Sequence, residues 1–315
     1  MSNMRLSLVM PCFNEAENVQ AMHDAVAEAF GGCGYDYELV FVDDGSRDNT
    51  FQVLKVLREN SAQNIRIIKF SRNFGKESAI YAGLEHAAGE LVTIIDADLQ
   101  QPPTLAREMA QFLTEHDEFD CVAAYQEKRS ESGSLRFLKT CFYRLINRIT
   151  EIEFVQGASD FRTMRRPMVD AILDMSERNR FSKGIFSWVG FCTHYVPYIA
   201  QQRNAGSTKW NKRKLFGYAF DGIVSFTTIP LRLASIAGVL SALASLIYML
   251  VIIVQRLLWG IEVPGFATLA VLILLLGGIQ LLALGLLGEY LAKNYVESKR
   301  RPIYVARQVL EPREQ

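Results

Sequence analysis

The sequence predicts an α/β domain built on a mostly parallel sheet, followed by two C-terminal helices that cross a membrane. Two observations carry this reading. Up to about residue 210 of the 315-residue chain, short β-rich runs alternate with segments of helical spacing, and beyond residue 233 come two long stretches without a charged side chain. Alternation of strand and helix lays the strands parallel, with helices on both faces. A helix needs roughly 20 apolar residues to cross a bilayer core, and both stretches reach that length.

Taken in order, residues 7–10, 38–43, 65–70, 91–96 and 120–124 read as strands. Residues 18–30 and 50–59 repeat their apolar positions at the three- and four-residue intervals of a helix. Asp48 or Ser46 is placed to cap the second of these helices, and Pro102 and Pro103 to start the one after the fourth strand. Residues 137–149 carry Phe137, Cys141, Phe142, Leu145 and Ile149 at helical spacing, with Lys139, Arg144 and Arg148 among them. Two readings stand side by side there: a surface helix on the core, or a basic amphipathic helix on anionic headgroups.

The charge-free spans are 233–254 and 264–288. Lys209, Lys212, Arg213 and Lys214 precede the first, and Lys293, Lys299, Arg300 and Arg301 follow the second; only Arg256 and Glu262 lie between them. The positive-inside rule then puts both flanks in the cytoplasm. Gly277, Gly278, Gly285 and Gly288 give the second span a small-residue face suited to close helix packing. The expected organisation is a cytosolic domain over 1–210, a juxtamembrane amphipathic segment over 211–232, two spans within 233–290 and a cytoplasmic tail over 291–315.

Composition narrows the function. Formal net charge is zero and no basic tail with interleaved aromatics is present, which argues against a nucleic-acid partner. The five cysteines (Cys12, Cys33, Cys121, Cys141, Cys192) form no Cys-x-x-Cys pair, which disfavours zinc and a disulfide framework and fits a reducing compartment. The apolar run before Pro11 is too short for a signal peptide, so the soluble part is expected in the cytosol. No Gly-x-Gly-x-x-Gly or P-loop pattern follows a strand, which disfavours hydride transfer and ATP hydrolysis. His23, His86, His116 and His194 form no cluster, and His86 is expected to find only local partners.

Ligands of open α/β sheets sit at the carboxyl ends of the strands. Polar groups recur there: Pro11, Asn14 and Glu15 after the first strand, Asp43 and Asp44 after the second, Arg72 and Lys76 after the third, Asp96, Asp98 and Gln100 after the fourth. Carboxylates at i and i+2 on an extended chain project to one side, so Asp96 and Asp98 can act on one Mg²⁺ or Mn²⁺ ion whose other ligands are diphosphate oxygens and water. Asp43 and Asp44 serve a helix-entry turn, and a carboxylate there also suits a base N–H or a ribose hydroxyl. Arg72 and Lys76 are either phosphate-facing cations or exposed surface charges. Arg203, Ser207 and Lys209, directly before the membrane, suit the anionic head of a lipid acceptor and equally serve as a positive-inside signal.

In order and spacing, Pro11-Cys12-Phe13-Asn14-Glu15, Val42-Asp43-Asp44-Gly45-Ser46, Arg72-Asn73-Phe74-Gly75 and Asp96-Ala97-Asp98-Leu99-Gln100-Gln101-Pro102 resemble the inverting GT-A glycosyltransferases that make polyprenyl-phosphate sugars. The segment from Glu177 through Gly190, residues 157–162 and 203–209, and the paired spans ending in Gly288-Glu289-Tyr290 look like bactoprenol glucosyltransferases. This resemblance covers nearly the whole chain and is more specific for the family than for glucose. It implies a Rossmann-like GT-A domain, a UDP-hexose donor and a polyprenyl phosphate acceptor at the bacterial inner membrane. Asp96, Asp98 and Gln100 would surround the metal, with Asp98 and Gln100 as its direct ligands, and Pro11, Asn14, Glu15, Asp43 and Asp44 would hold the uridine. Asp160 would stand near the acceptor, as base or as orienting group, unless it merely pairs with Arg162 or Arg165. The resemblance also implies a homo-oligomer, a tetramer assembled with help from the juxtamembrane segments.

Overall fold

A computed structural model describes residues 5–127, 155, 157–175, 177–200, 227–259 and 265–313. The chain divides into two compact units, one combining the residues before the apolar helices with the segment from Arg301 onward, the other holding the apolar helices.

The first unit is an eight-stranded sheet with helices packed on it. In chain order its elements are β1 (Arg5–Cys12), α1 (Val19–Phe30), β2 (Asp36–Asp43), α2 (Thr50–Asn60), β3 (Asn64–Phe70), α3 (Lys76–His86), β4 (Leu91–Ile94) and α4 (Pro103–Glu115). They are followed by β5 (Cys121–Gln126), β6 (Ala158–Arg165), α5 (Arg166–Asp174), α6 (Ser182–Trp188), β7 (Thr193–Tyr198) and, after the apolar helices, β8 (Ala306–Leu310). The strand order is β7-β5-β6-β4-β1-β2-β3-β8. The central strands read as continuous apolar runs because both of their faces are covered: Leu6 to Met10 and Leu39 to Val42 are fully buried.

The central β3-β2-β1-β4 block is parallel. The chain winds from β1 through β2 to β3, then returns over α3 to β4 on the opposite side of β1, which opens a crevice between the ends of β1 and β4. Gly83 lets α3 lie close against β1, for a Cβ there would stand 2.2 Å from Val9 Cγ1. That close approach fixes the amino end of α3, and with it Lys76, at the crevice.

The sheet is mostly parallel, as expected, with two antiparallel strands, β6 between β4 and β5 and β8 along β3. Other expectations need correction. Strand β4 stops at Ile94, so Asp96 and Asp98 lie in the loop beyond it. Asp48, not Ser46, receives the first-turn amide of α2, at 3.1 Å from Thr50 N, because the Ser46 hydroxyl is engaged by the amide of Asn14. The tail over 291–315 is largely structured. Helix character continues to Ser298, and β8 then closes the outer edge of β3. His86 meets Tyr304, at 3.2 Å, rather than a local partner, and Tyr304 stacks on Phe70 with ring centroids 4.8 Å apart. The two readings of residues 137–149 fall outside the described residues.

Removing the chain from Arg301 onward should therefore uncover β3, whose Ile65, Ile67, Ile68 and Phe70 are buried. An uncovered apolar edge strand is an aggregation template. The truncated protein is expected to melt several degrees lower and to aggregate in size-exclusion chromatography; an unchanged melting curve would show that β8 is dispensable.

In the second unit, α7 (Ile229–Trp259) and α8 (Phe266–Ser298) contain apolar windows at Ile229–Gln255 and Val271–Ser298, each long enough to cross a membrane. Their leucines point outward, Leu240 being 62% and Leu274 75% exposed. Side chains so placed suit a hydrocarbon surround and not water. The Tyr290 hydroxyl donates to the Thr227 carbonyl at 2.6 Å and ties the C-terminal part of α8 to the residues just before α7.

Candidate active site

At the switch point a cleft of about 390 Å³ opens over the carboxyl ends of β1, β2 and β4. Pro11, Glu15, Asp44, Lys76, Asp96 and Asp98 line it, joined by Cys12, Phe13, Asn73 and Gly75. Six residues singled out from strand-end position alone thus meet in one cavity. Burial pushes the Cys12 thiol well up, with Glu15 and Asp43 adding to the effect, so Cys12 serves as wall and not as nucleophile.

The β1–β2 side is a set of interlocked turns. Asn14 takes a left-handed conformation (φ 56°), donates its N–H to Ser46 Oγ at 2.9 Å and accepts the Arg47 N–H on Oδ1 at 2.8 Å. Its side chain is thus committed to holding two loops together. Asp43 accepts the Ser46 N–H on Oδ1 at 2.9 Å, while its Oδ2 is buried without a partner among the described residues. Gly45 (φ +64°) passes so close to the third loop that a Cβ would stand 2.4 Å from the Arg72 carbonyl carbon.

Asp44 latches that third loop. It accepts from Phe74 N at 2.6 Å, Gly75 N at 3.0 Å and Asn73 Nδ2 at 2.8 Å. Burial raises its pKa to about 6, against the downward pull of those backbone amides. A carboxyl raised from 3.8 contributes stability that is fully present below about pH 4 and is lost as pH rises through about 6. Relative to Asp44→Asn, the wild-type protein is accordingly expected to lose thermal stability between pH 4 and pH 7; parallel melting curves would contradict that environment. Arg72 turns onto the Phe74 ring, 4.1 Å away, and donates to the Asn73 carbonyl, so it does not join the cleft.

The β4–β6 side holds the charged cluster. Extending the antiparallel register, in which Ile94 faces Arg162, puts Asp160 of β6 level with Asp96 in the loop that follows β4. Lys76 bridges the two: its Nζ lies 2.7 and 3.0 Å from the Asp96 oxygens and 3.1 Å from Asp160 Oδ2. Desolvation opposes the lysine charge, but the two carboxylates outweigh it and hold Lys76 protonated far above neutral pH. Burial likewise opposes ionisation of Asp160, yet Lys76, Lys183 and Arg162 keep its carboxyl below the ordinary range. Its partner is Lys76 and neither expected arginine: Arg162 stacks on Phe186 at 3.7 Å, and Arg165 binds carbonyls and Asp117.

Gln101, which position alone did not mark, anchors Asp96. It accepts the Asp96 N–H at 2.8 Å and donates to Asp96 Oδ2 at 3.1 Å. Both Asp96 oxygens are thereby engaged. Asp98 is 7% exposed, accepts the Gln100 N–H at 3.2 Å and faces the cleft, while Gln100 lies outside the cleft lining. Among the described residues no three His, Cys, Asp or Glu side chains form a metal cage. The oxygen donors present suit a hard cation shared with a diphosphate, which takes only one or two protein carboxylates. Arg203, Ser207 and Lys209 lie outside the described residues.

A strand-end cleft with a paired carboxylate loop at the switch point is the arrangement of a ligand-binding α/β enzyme. Residues 7–173 match the model of glycosyl transferase family 2, and the chain belongs to that family; it is a glycosyltransferase of GT-A fold. It is 41% identical over 310 residues to the prophage bactoprenol glucosyl transferase homolog of Escherichia coli (strain K12), covering 97% of this chain and 99% of that one. To the bactoprenol glucosyl transferase of Shigella phage SfV it is 41% identical over 306 residues, 96% and 98% of the two chains. The crystal structure of glucosyl-3-phosphoglycerate synthase from Mycobacterium tuberculosis, in complex with Mn²⁺ and uridine-diphosphate-glucose, superposes with a TM-score of 0.45 at 17% identity, over 71% of this chain and 78% of that one.

Proposed function

We propose that this enzyme transfers glucose from UDP-glucose to a polyprenyl phosphate at the cytoplasmic face of the bacterial inner membrane, with inversion at the anomeric carbon. The observation that carries the reading is the Asp96–Lys76–Asp160 bridge beside Asp98, in a chain that also has two membrane-length helices. The names of the relatives support a bactoprenol acceptor and glucose as the sugar.

The nucleoside would lie over the β1–β2 turns, where Pro11 and Glu15 line the wall and the spare Asp43 oxygen is a ready hydrogen-bond acceptor. Asp96 and Asp98 put carboxylate oxygens from one loop into the cleft, a donor set that suits a divalent cation shared with a diphosphate. Asp98, with Gln100 beside it, would hold Mg²⁺ or Mn²⁺. When bound, the cation neutralises the charge left on the departing diphosphate. The lipid phosphate oxygen attacks the anomeric carbon in line with the leaving oxygen. A lipid phosphate is already ionised near neutral pH and needs no general base. Asp160, ionised and fixed by Lys76, thus orients groups and does not take a proton. The helices would keep the enzyme where its acceptor is, as a multi-pass protein acting as a homo-oligomer.

Purified full-length protein assayed with undecaprenyl phosphate, Mg²⁺ or Mn²⁺ and a panel of UDP- and GDP-sugars tests the reading. Lipid-linked product from UDP-glucose is expected. Product only from a mannose, N-acetylglucosamine or aminopentose donor would overturn the sugar, and no product from any donor would overturn the function.

A further inference from the structure

The sheet order lays the site out as a line. Strands sit about 4.8 Å apart, so the sequence β2, β1, β4, β6 runs from the nucleoside turns, past the carboxylate loop, to Asp160. An anionic acceptor entering from the β6 side needs a cation that the donor half of the site does not already consume. Lys76 does not qualify, since Asp96 and Asp160 engage it together.

Among the described residues, a further cation on that side is Lys183, in the first turn of α6. Two contacts pin that turn. Glu77, the neighbour of Lys76 on α3, accepts the Ser182 N–H at 3.0 Å and also the Ser182 hydroxyl. At the other end, the Arg162 guanidinium of β6 lies 3.7 Å from the ring of the buried Phe186. The helix is thereby fixed against α3 and β6, and the Lys183 charge helps to hold the Asp160 carboxyl below its ordinary range. Among the described residues no hydrogen bond or ion pair engages its ammonium, and the Asp160 Oδ1 is buried without a partner. Asp160 on β6 and Lys183 on α6 thus belong to the side of the site away from the nucleoside turns, with one Asp160 oxygen unengaged among the described residues.

We propose that Lys183 is the acceptor-side anion receptor, its ammonium binding the phosphate monoester of the acceptor beside Asp160. The proposal builds on the function given above and deepens it. A phosphate there would meet one ammonium, free to follow it as a compact point charge, while Asp160 limits how closely the anion approaches Lys76. Glu77 is a positioning residue in this arrangement, acting through Ser182.

The test uses the full-length enzyme with undecaprenyl phosphate and UDP-glucose. Lys183→Met is expected to raise the KM for the lipid phosphate about tenfold or more, the weight of a charge-assisted hydrogen bond. The KM for UDP-glucose and the metal activation curve should stay within about twofold, and Lys183→Arg should restore most of the lipid affinity. An unchanged lipid KM overturns the proposal, and so does a parallel rise in the KM for UDP-glucose, which would move Lys183 to the donor side. If the wild-type enzyme accepts no donor at all, it is the function that fails. Equilibrium binding of undecaprenyl phosphate to wild type and Lys183→Met then decides the role of Lys183, equal affinities overturning it.

Discussion

Asp98→Asn should lower kcat/KM by about 10²–10³, the usual loss when one group stabilising a developing charge is removed. Asp98 is almost fully buried, and the left-handed Leu99 (φ 61°) folds the chain back so that Gln100 N–H reaches its Oδ1. Asparagine keeps that oxygen and the shape of the turn, so the loop should survive and the change should isolate the charge. Two readouts separate charge from fold. The melting temperature should stay within a few degrees of wild type, and UDP binding should lose its dependence on Mn²⁺. Wild-type turnover with an unchanged metal requirement would show that the cation is held elsewhere.

The parts of this site that were legible in the sequence are those set by local chemistry. The strand-end rule needs only short apolar runs and the polar residues that follow them, and it gathered Pro11, Glu15, Asp44, Lys76, Asp96 and Asp98 into one cleft. What remained hidden depends on pairings between distant segments. Strand β6 carries Ser159, Asp160 and Arg162 in a run without clear alternation, and its place between β4 and β5 is a tertiary fact. Asp160 was therefore marked by resemblance alone, and its partner Lys76, on α3, could not be named from spacing. Strand β8 was equally unreadable: five residues beyond a membrane-length helix look like a tail until β3 offers them an edge. Gln101 had a visible signal, an amide directly after the carboxylate loop, but its role needed the backbone of Asp96 to come within 2.8 Å. Arg72 shows the converse, a cation correctly placed by sequence and turned away by an aromatic neighbour.

Lys76→Met is expected to cost about as much activity as Asp98→Asn, for a different reason. It removes the ammonium that contacts both Asp96 and Asp160 and leaves these two carboxylates beside each other without it. Like charges so close repel, and a carboxylate left without its partner is destabilised most at Asp160, the least exposed of the three groups. Asp160→Asn alone should also impair turnover, because Lys76 loses one of its two anchors. If Lys76 acts through Asp160, the double variant Lys76→Met/Asp160→Asn should be far less impaired than the product of the single effects, with a coupling of about 1–3 kcal/mol in kcat/KM. Lys76→Arg should rescue poorly, since a planar fork cannot replace a point charge seated between two carboxylates. Additive losses in this cycle would mean that Lys76 and Asp160 serve separate steps, and would detach the acceptor side of the site from the donor side.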